Sequence, residues 1–333
     1  MNMTEDIRVA VCLVTYNQER YIEKAINSVL EQRTNFVVDI IIGNDCSTDN
    51  TAKVLENIKI GQSHTEGKIV IFNRPQNLGI VGNTVGLFQY IISQDYTYCA
   101  MLDGDDWWCD EQKLQMQVEL MEENKDVSFC YMRGTTDEKI AKNHKDTYHV
   151  CIKNMFDEIR HTGIANGTVV HRVSMLQKLP FDKIEKQNLL SMDYPTNVYM
   201  GTLGKVAFID GISLYWRRDG NTTSSAVSKE KAYRYIDHEV RQGLFLASEF
   251  PNTSYAFSIE EAEEFRCWQM YMWSYHRKDY KSLVEVLSNP YFPLNWLTPR
   301  PEKKYLNNKI AFYLYVYFIK KLQTALKLIR KKI

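Results

Sequence analysis

Three times in the first 106 residues, a short apolar run stops abruptly in a cluster of polar side chains. Ile7–Val14 ends in 15–19, Phe36–Gly43 in 44–50, and Tyr96–Leu102 in 103–106. A run of that length with little polar alternation reads as a strand buried on both faces. Between the runs the period changes. Ile22, Ala25, Ile26, Val29 and Leu30 recur at helical spacing, and further helices are predicted over 51–60, 81–92 and 111–124. Two more strands are expected at 68–72 and 127–132. Strands alternating with helices predict βαβ units, hence an α/β fold on a mostly parallel sheet. In open sheets of this kind, ligands bind outside the carboxyl ends of the strands. The three polar clusters are therefore expected to share one crevice.

The later chain is less regular. Residues 133–160 are polar and read as an irregular excursion, 168–171 and 206–209 as short strands, and 219–225 as a flexible polar stretch. Helical periodicity then takes over at 228–250, 258–276, 278–288 and 303–330. A boundary is expected near residue 226, separating an α/β domain over 1–226 from a helical region over 227–333.

Charge is balanced overall, with 41 basic against 41 acidic residues. That argues against a nucleic-acid partner, and a hydrophobic content of 44% excludes a disordered chain. The balance fails locally: nine basic and no acidic residues fall in 303–333. Within that segment Ile310–Ile319 is apolar and Tyr-rich, yet as a helix it would span only about 15 Å, too short for a bilayer. A basic, Tyr-rich helix suits the surface of an anionic membrane leaflet. A helix packed on the α/β domain and a dimer contact are the other readings. The seven cysteines form no CxxC pair and show no zinc or disulfide spacing. Several sit inside apolar runs, which reads as buried free thiols in a reducing compartment. The first residues carry acid where a secretion signal carries base. The expected location is cytoplasmic, with contact at the inner face of the plasma membrane through 303–333.

The densest chemistry lies in Leu102-Asp103-Gly104-Asp105-Asp106-Trp107. Three carboxylates this close at a strand end repel one another unless a cation joins them. Hard divalent ions such as Mg2+ or Mn2+ take carboxylate oxygens and bridge to phosphate. A solvated acidic turn that caps the next helix is the plain alternative. Asp45 follows the apolar Ile40-Ile41-Ile42-Gly43 and Asn44. It can accept from a base N–H or a ribose hydroxyl, or cap the next helix, a task open to Ser47, Thr48 and Asp49 as well. Asn77-Leu78-Gly79 and Asn83 add a polar loop before a helix, either as ligand contacts or as an ordinary turn. The aromatic and Met side chains over 268–275 read as helical core rather than as a sugar platform.

Taken in order, Val11-Cys12-Leu13-Val14-Thr15-Tyr16-Asn17, Tyr21, Ser28-Val29-Leu30-Glu31-Gln32, Asn44-Asp45-Cys46-Ser47-Thr48-Asp49-Asn50-Thr51 and Asp103-Gly104-Asp105-Asp106 resemble family 2 glycosyltransferases of the GT-A fold. The resemblance is specific over residues 7–130, can be followed to about 225, and does not cover the helical C-terminus. It implies a Rossmann-like GT-A sheet, a nucleotide-diphosphate sugar donor (a UDP-sugar by default) and an inverting transfer. By position, Thr15, Tyr16, Asn17, Glu19 and Asp45 would hold the nucleoside, with Asn77 beside them. Asp103 and Gly104 would meet the ribose, Asp105 the metal, and Asp106 the sugar or the acceptor. The family carries a catalytic Asp further on, before a short helix. Ser191-Met192-Asp193-Tyr194-Pro195 matches that place, so Asp193 is the expected general base, with an N-cap ahead of residues 196–201 as the competing role.

One departure follows. Where the family often reads Tyr-Arg-x-His, with the His at the metal, this chain reads Trp216-Arg217-Arg218-Asp219. Asp219 either replaces that ligand or marks its loss. Arg217 and Arg218 suit a bidentate grip on a diphosphate or surface ion pairs. The resulting expectation is an inverting glycosyltransferase dependent on Mn2+ or Mg2+, serving surface polysaccharide synthesis, with a glycan or lipid-linked acceptor. A sugar nucleotidyltransferase would want a Gly-rich phosphate loop near the N-terminus, and an oxidoreductase a GxGxxG after the first strand; neither occurs. A scaffold protein that kept the fold and lost the chemistry is the non-enzymatic rival, on the strength of Asp219.

Overall fold

The structure, a computed structural model, describes residues 7–61, 67–142, 148–153, 164–218, 228–251, 258–277, 279–287 and 289–291. The chain divides into two compact units: residues 1–225 with 253–255, and residues 226–252 with 256–333.

In the first unit, β1 (Arg8–Thr15), β2 (Val37–Asn44), β3 (Ile69–Asn73) and β4 (Tyr98–Asp103) pair in parallel in the order β3-β2-β1-β4. Val9 to Val14 and Ile40 to Ile42 are buried without alternation, because helices cover both faces of the sheet. Val9, Val11 and Leu13 join one core cluster with Ile22, Ala25, Ile26 and Val29 of α1 (Ile22–Leu30) and Leu55 of α2 (Thr51–Gly61). The pleat leaves Ala10, Cys12 and Val14 for the opposite face. There α3 (Gly79–Ile92) packs against β1 and β2.

After β4 come β5 (Trp107–Trp108), α4 (Lys113–Glu123), β6 (Val127–Thr135), α5 (Glu138–Lys142) and β7 (Val150–Lys153). Then follow β8 (Val170–Arg172), the short helices α6 (Val173–Leu176) and α7 (Phe181–Glu185), α8 (Asp193–Leu203) and β9 (Lys205–Tyr215). The sheet continues β4-β8-β6-β9-β5, with β7 also paired to β9. β8 runs antiparallel to β4 and β6, β5 and β7 run antiparallel to β9, and β6 and β9 are parallel. Hence β1, β2, β3, β4, β6 and β9 share one direction. The β6–β9 register slips at several points, including Tyr131/Arg133 and Arg133/Gly134, and such bulges bend a sheet.

Within segment 133–160, expected to be irregular, the described residues prolong β6 to Thr135 and add α5 and β7, while 143–147 and 154–160 lie outside the described residues. Nothing in the local period marks β7. Its partner defines it, through Val150↔Ile209 and Lys153↔Val206, and such tertiary pairing outweighs local propensity.

Two consequences position the site. β1, β2, β4 and β9 all end at the same edge of the sheet. α8 leads almost directly into the start of β9 and packs on β6 and β9, so its first residue lies toward the carboxyl edge, about 16 Å from its last.

The second unit contains α9 (Lys229–Glu249), α10 (Ile259–Arg277) and α11 (Tyr280–Leu287), packed α9 on α10 and α10 on α11. Ser228 caps α9 by accepting from Lys231 N at 3.2 Å. On α10, Cys267 and Tyr271 are buried and Trp268 stacks on Tyr271. The helix expected over 303–330 lies outside the described residues. Among the described residues, no helix is long and apolar enough to cross a membrane. All seven cysteines are free; Cys12, Cys99, Cys130 and Cys267 are buried, whereas Cys46, Cys109 and Cys151 are half-buried.

A buried charge on α4 gives a test of the core. Lys113 is wholly buried; its Nζ donates to Gln117 Oε1 at 2.8 Å and lies 4.3 Å from the Trp108 ring centroid. Burial pulls its ammonium down from the ordinary 10.5 to about 7. Between those values the folded state binds fewer protons than the unfolded chain, so this group makes stability rise as pH rises through that window. Lys113→Met is expected to flatten the rise by up to about 1.4 kcal/mol per pH unit. Urea melts of both proteins at about pH 7.5 and about pH 9.5 check this; equal slopes would contradict it.

Candidate active site

Two loops hang from the end of β1. Asp45 N donates to Thr15 O at 2.9 Å, and Gly104 N donates to Val14 O at 2.9 Å. The registers Thr15↔Asn44 and Val14↔Asp103 set the three strand ends level. Clusters 15–19, 44–50 and 103–106 therefore meet at one edge.

The first two clusters are tied together. Asn17 N donates to Ser47 Oγ (2.9 Å), Thr48 N to Asn17 Oδ1 (2.7 Å), and Glu19 N to Asp49 Oδ2 (3.1 Å). Asn50 donates to Glu19 Oε2 from both its backbone N (2.9 Å) and its Nδ2 (2.7 Å). Asn17 and Cys46 sit at φ 53° and 59°. Asn tolerates that left-handed region and Cys does so less readily, so the turn is held by its surroundings. Asn17 Oδ1 and Glu19 Oε2 thus fasten the two loops to each other.

Asp49 does the capping of α2, with Oδ1 accepting from Thr51 N (2.9 Å) and Thr51 Oγ1 (2.5 Å). Asp45, buried, instead accepts from Leu78 N at 2.7 Å through Oδ1, while its carbonyl accepts from Asn77 Nδ2 at 3.1 Å. Asp45 and Asn77 are therefore neighbours. Asn83 is used elsewhere: its Nδ2 donates to Gly43 O at 2.8 Å and its Oδ1 accepts from Arg74 Nε at 3.1 Å. Tyr16, between Thr15 and Asn17, is 46% exposed.

The acidic loop closes on itself, with Asp106 N donating to Asp103 O at 3.0 Å. Trp107 pairs with Tyr215 across β5 and β9, their rings stacked at 4.2 Å. That pairing brings Arg217, two residues beyond, against the loop. Arg217 N donates to Asp106 Oδ1 at 3.0 Å, and its Nη2 meets Asp105 Oδ2 at 2.5 Å. The guanidinium also lies 4.2 Å from the Tyr21 ring centroid. Asp103 Oδ1 accepts from Asn166 Nδ2 at 3.4 Å. Asp193 opens α8 behind an N-cap at Met192 that makes no side-chain capping bond. Asp193 Oδ1 is buried without a hydrogen-bond partner, so Asp193 does not act as the helix cap.

The electrostatics follow from this crowding. Burial, then the charges of Asp105 and Asp193, push the Asp103 carboxyl up to about 7. Burial, then Asp103 and Asp105, push Asp106 up to about 8. Arg217 offsets only part of that negative charge. An all-oxygen donor set, an excess of acid and a buried oxygen lacking a partner together fit a hard divalent cation by chemistry. Among the described residues, no three His, Cys, Asp or Glu side chains form a ready-made ligand set. Asp219 lies outside the described residues.

Thr15, Asp45, Asn77, Asp103, Gly104, Asp105, Asp106, Asp193 and Arg217 thus occupy one edge. The pairing of Arg217 with Asp105 and the contact of Asn166 with Asp103 went unforeseen. Asn166 belongs to a short 3-10 turn, Asn166–Thr168, beside β4, and no local pattern marks it.

A mostly parallel sheet with helices on both faces and an Asp-x-Asp loop at its carboxyl edge is GT-A architecture. The chain belongs to glycosyl transferase family 2, whose model matches residues 10–185. An uncharacterised protein of Mycobacterium tuberculosis is 31% identical over 124 residues, 37% of this chain and 34% of that protein. The chain thus spans about a third of the length of its mycobacterial relatives. An Escherichia coli protein named UDP-Glc:alpha-D-GlcNAc-diphosphoundecaprenol beta-1,3-glucosyltransferase is 28% identical over 191 residues, 55% of this chain and 68% of that protein. Among solved structures, a mannosyltransferase from Pyrobaculum calidifontis in complex with GDP-Man and Mn2+ superposes with a TM-score of 0.54 at 13% identity, over 98% of this chain and 87% of that one. At that identity the likeness is one of fold.

Gly104 offers a test of the crevice. A Cβ there would stand 2.5 Å from Gln18 Oε1 and 2.9 Å from Thr15 Cβ and Oγ1. Gln18 can swing aside, whereas Thr15 is fixed at the end of β1. Gly104→Ala is expected to fold at a cost of about 1–3 kcal/mol. Thermal and urea melts check this; wild-type stability in the variant would show that Thr15 yields to the added methyl.

Proposed function

We propose that the protein is a metal-dependent, inverting glycosyltransferase that moves a sugar from a nucleotide-diphosphate donor to an acceptor hydroxyl. The observation that carries this reading is a division of one sheet edge into two parts. Hydrogen-bonding loops after β1 and β2 stand on one side. An acidic loop with Arg217, in the field of the unpartnered Asp193 carboxylate, stands on the other.

In this reading Thr15, Tyr16, Asp45 and Asn77 take the nucleoside, and Asn17 and Glu19 hold the loops that present them. Asp103, beside Gly104, takes the ribose, and Asp106 orients the sugar or the acceptor. Asp105 would hold Mn2+ or Mg2+, with Asp219 a second candidate ligand on sequence grounds; such an ion supplies positive charge to the diphosphate leaving group. Arg217 adds its own charge and fork geometry to the same diphosphate.

Asp193 accepts the proton of the acceptor hydroxyl as that oxygen bonds to the anomeric carbon and the bond to the diphosphate oxygen breaks. One displacement inverts the anomeric centre and needs no covalent enzyme intermediate.

The named donor and acceptor of the E. coli relative support a UDP-sugar and a lipid-linked glycan here, and so a place in surface polysaccharide synthesis. An acceptor carried on lipid is met at the inner leaflet, where the basic, Tyr-rich 303–333 segment would supply contact. Co-sedimentation with anionic liposomes is expected to fall when 303–333 is removed; equal pelleting of both forms would refute the contact.

Asp193→Asn tests the base. Turnover is expected to fall by about 10²–10⁴ while UDP affinity, read by calorimetry, stays close to wild type. Near-normal turnover would assign the proton to another group.

A further inference from the structure

We infer that Arg217 is the resident counter-ion of Asp105, and that the donor's diphosphate must draw it off before a divalent cation can take that carboxylate. The metal site is then conditional on the nucleotide. This rests on the metal-dependent reading above.

The pair is short and sheltered. Arg217 Nη2 and Asp105 Oδ2 are 2.5 Å apart, with side chains only 12% and 16% exposed, so water competes weakly for either charge. A guanidinium held that closely repels a second cation approaching the same carboxylate.

The geometry lets the side chain leave while the backbone stays. Arg217 N is held by Asp106 Oδ1 at 3.0 Å, Trp216 N donates to Thr135 O at 2.7 Å, and Tyr215 is paired with Trp107. The guanidinium lies 4.2 Å from the centroid of the Tyr21 ring, a flat face along which it can turn without losing support. A diphosphate offers the planar fork a second bidentate partner with more negative charge than one carboxylate. Nucleotide and cation then reinforce each other beyond any direct bond between phosphate and metal, and the coupling is reciprocal.

The test measures Mn2+ binding to the full chain, from the electron paramagnetic resonance signal of free Mn2+, with and without UDP. Arg217→Met is expected to bind Mn2+ alone about tenfold tighter than wild type. The gain in Mn2+ affinity on adding UDP is expected to shrink by a similar factor. Should Arg217→Met fail to fold by circular dichroism, Tyr21→Leu decides in its place. It removes the supporting ring, keeps both charges, and is expected to tighten binding of Mn2+ alone about threefold. Unchanged or weaker binding of Mn2+ alone by the deciding variant, with wild type still binding Mn2+ in the presence of UDP, overturns the inference and leaves the metal-dependent reading standing. If no form binds Mn2+ even with UDP present, the inference falls together with that reading.

Discussion

A parallel sheet delivers its strand ends to one edge, and that single constraint makes the site. β1, β2, β4 and β9 run the same way, so the residues that follow each must meet outside the carboxyl ends. Two of those four exits are polar loops zipped to each other, one is acidic and one brings an arginine. The acid arrives by way of buried strands, where water cannot dilute it. That is why Asp103 and Asp106 are pushed toward neutrality and why Arg217 is drawn against Asp105.

The two halves of the edge are built on different principles. Around Asn17, Ser47, Thr48 and Glu19 the backbone donors find acceptors within the loops, and these bonds hold the left-handed turn at Asn17. Around Asp105, Asp106 and Asp193 the balance is left open. There are more carboxylates than cations, and one carboxylate oxygen lacks a partner. The first half is set by hydrogen bonds; the second is set by charge.

Much of this was legible before any coordinates. β1, β2 and β4 announce themselves because strands covered on both faces lose the polar alternation of exposed ones, and the clusters behind them mark the edge. Asp193 stood out through its family position. What the chain did not disclose was whatever depends on a partner far along it. β7 is defined by its pairing with β9, and the two-residue β5 by its pairing with the last two residues of β9. Asn166 reaches Asp103 from a turn with no periodic signal. Glu19 and Asn17 also fasten the loops, through partners 31 residues away, a distance at which residue type carries no information about pairing.

The acidic loop also has a mechanical side. β4 and β5 stand four places apart in the strand order, which in a flat sheet would separate them by about 19 Å. The steps from Asp103 to Trp107 can reach no more than about 14 Å. The sheet must therefore curl, and the slips between β6 and β9 are where it yields. Residues 103–106 close a turn, with Asp106 N bonded back to Asp103 O at 3.0 Å, so the chain crosses from β4 to β5 in one tight step. Lengthening or shortening that step would move β5 along β9 and carry Arg217 away from Asp105.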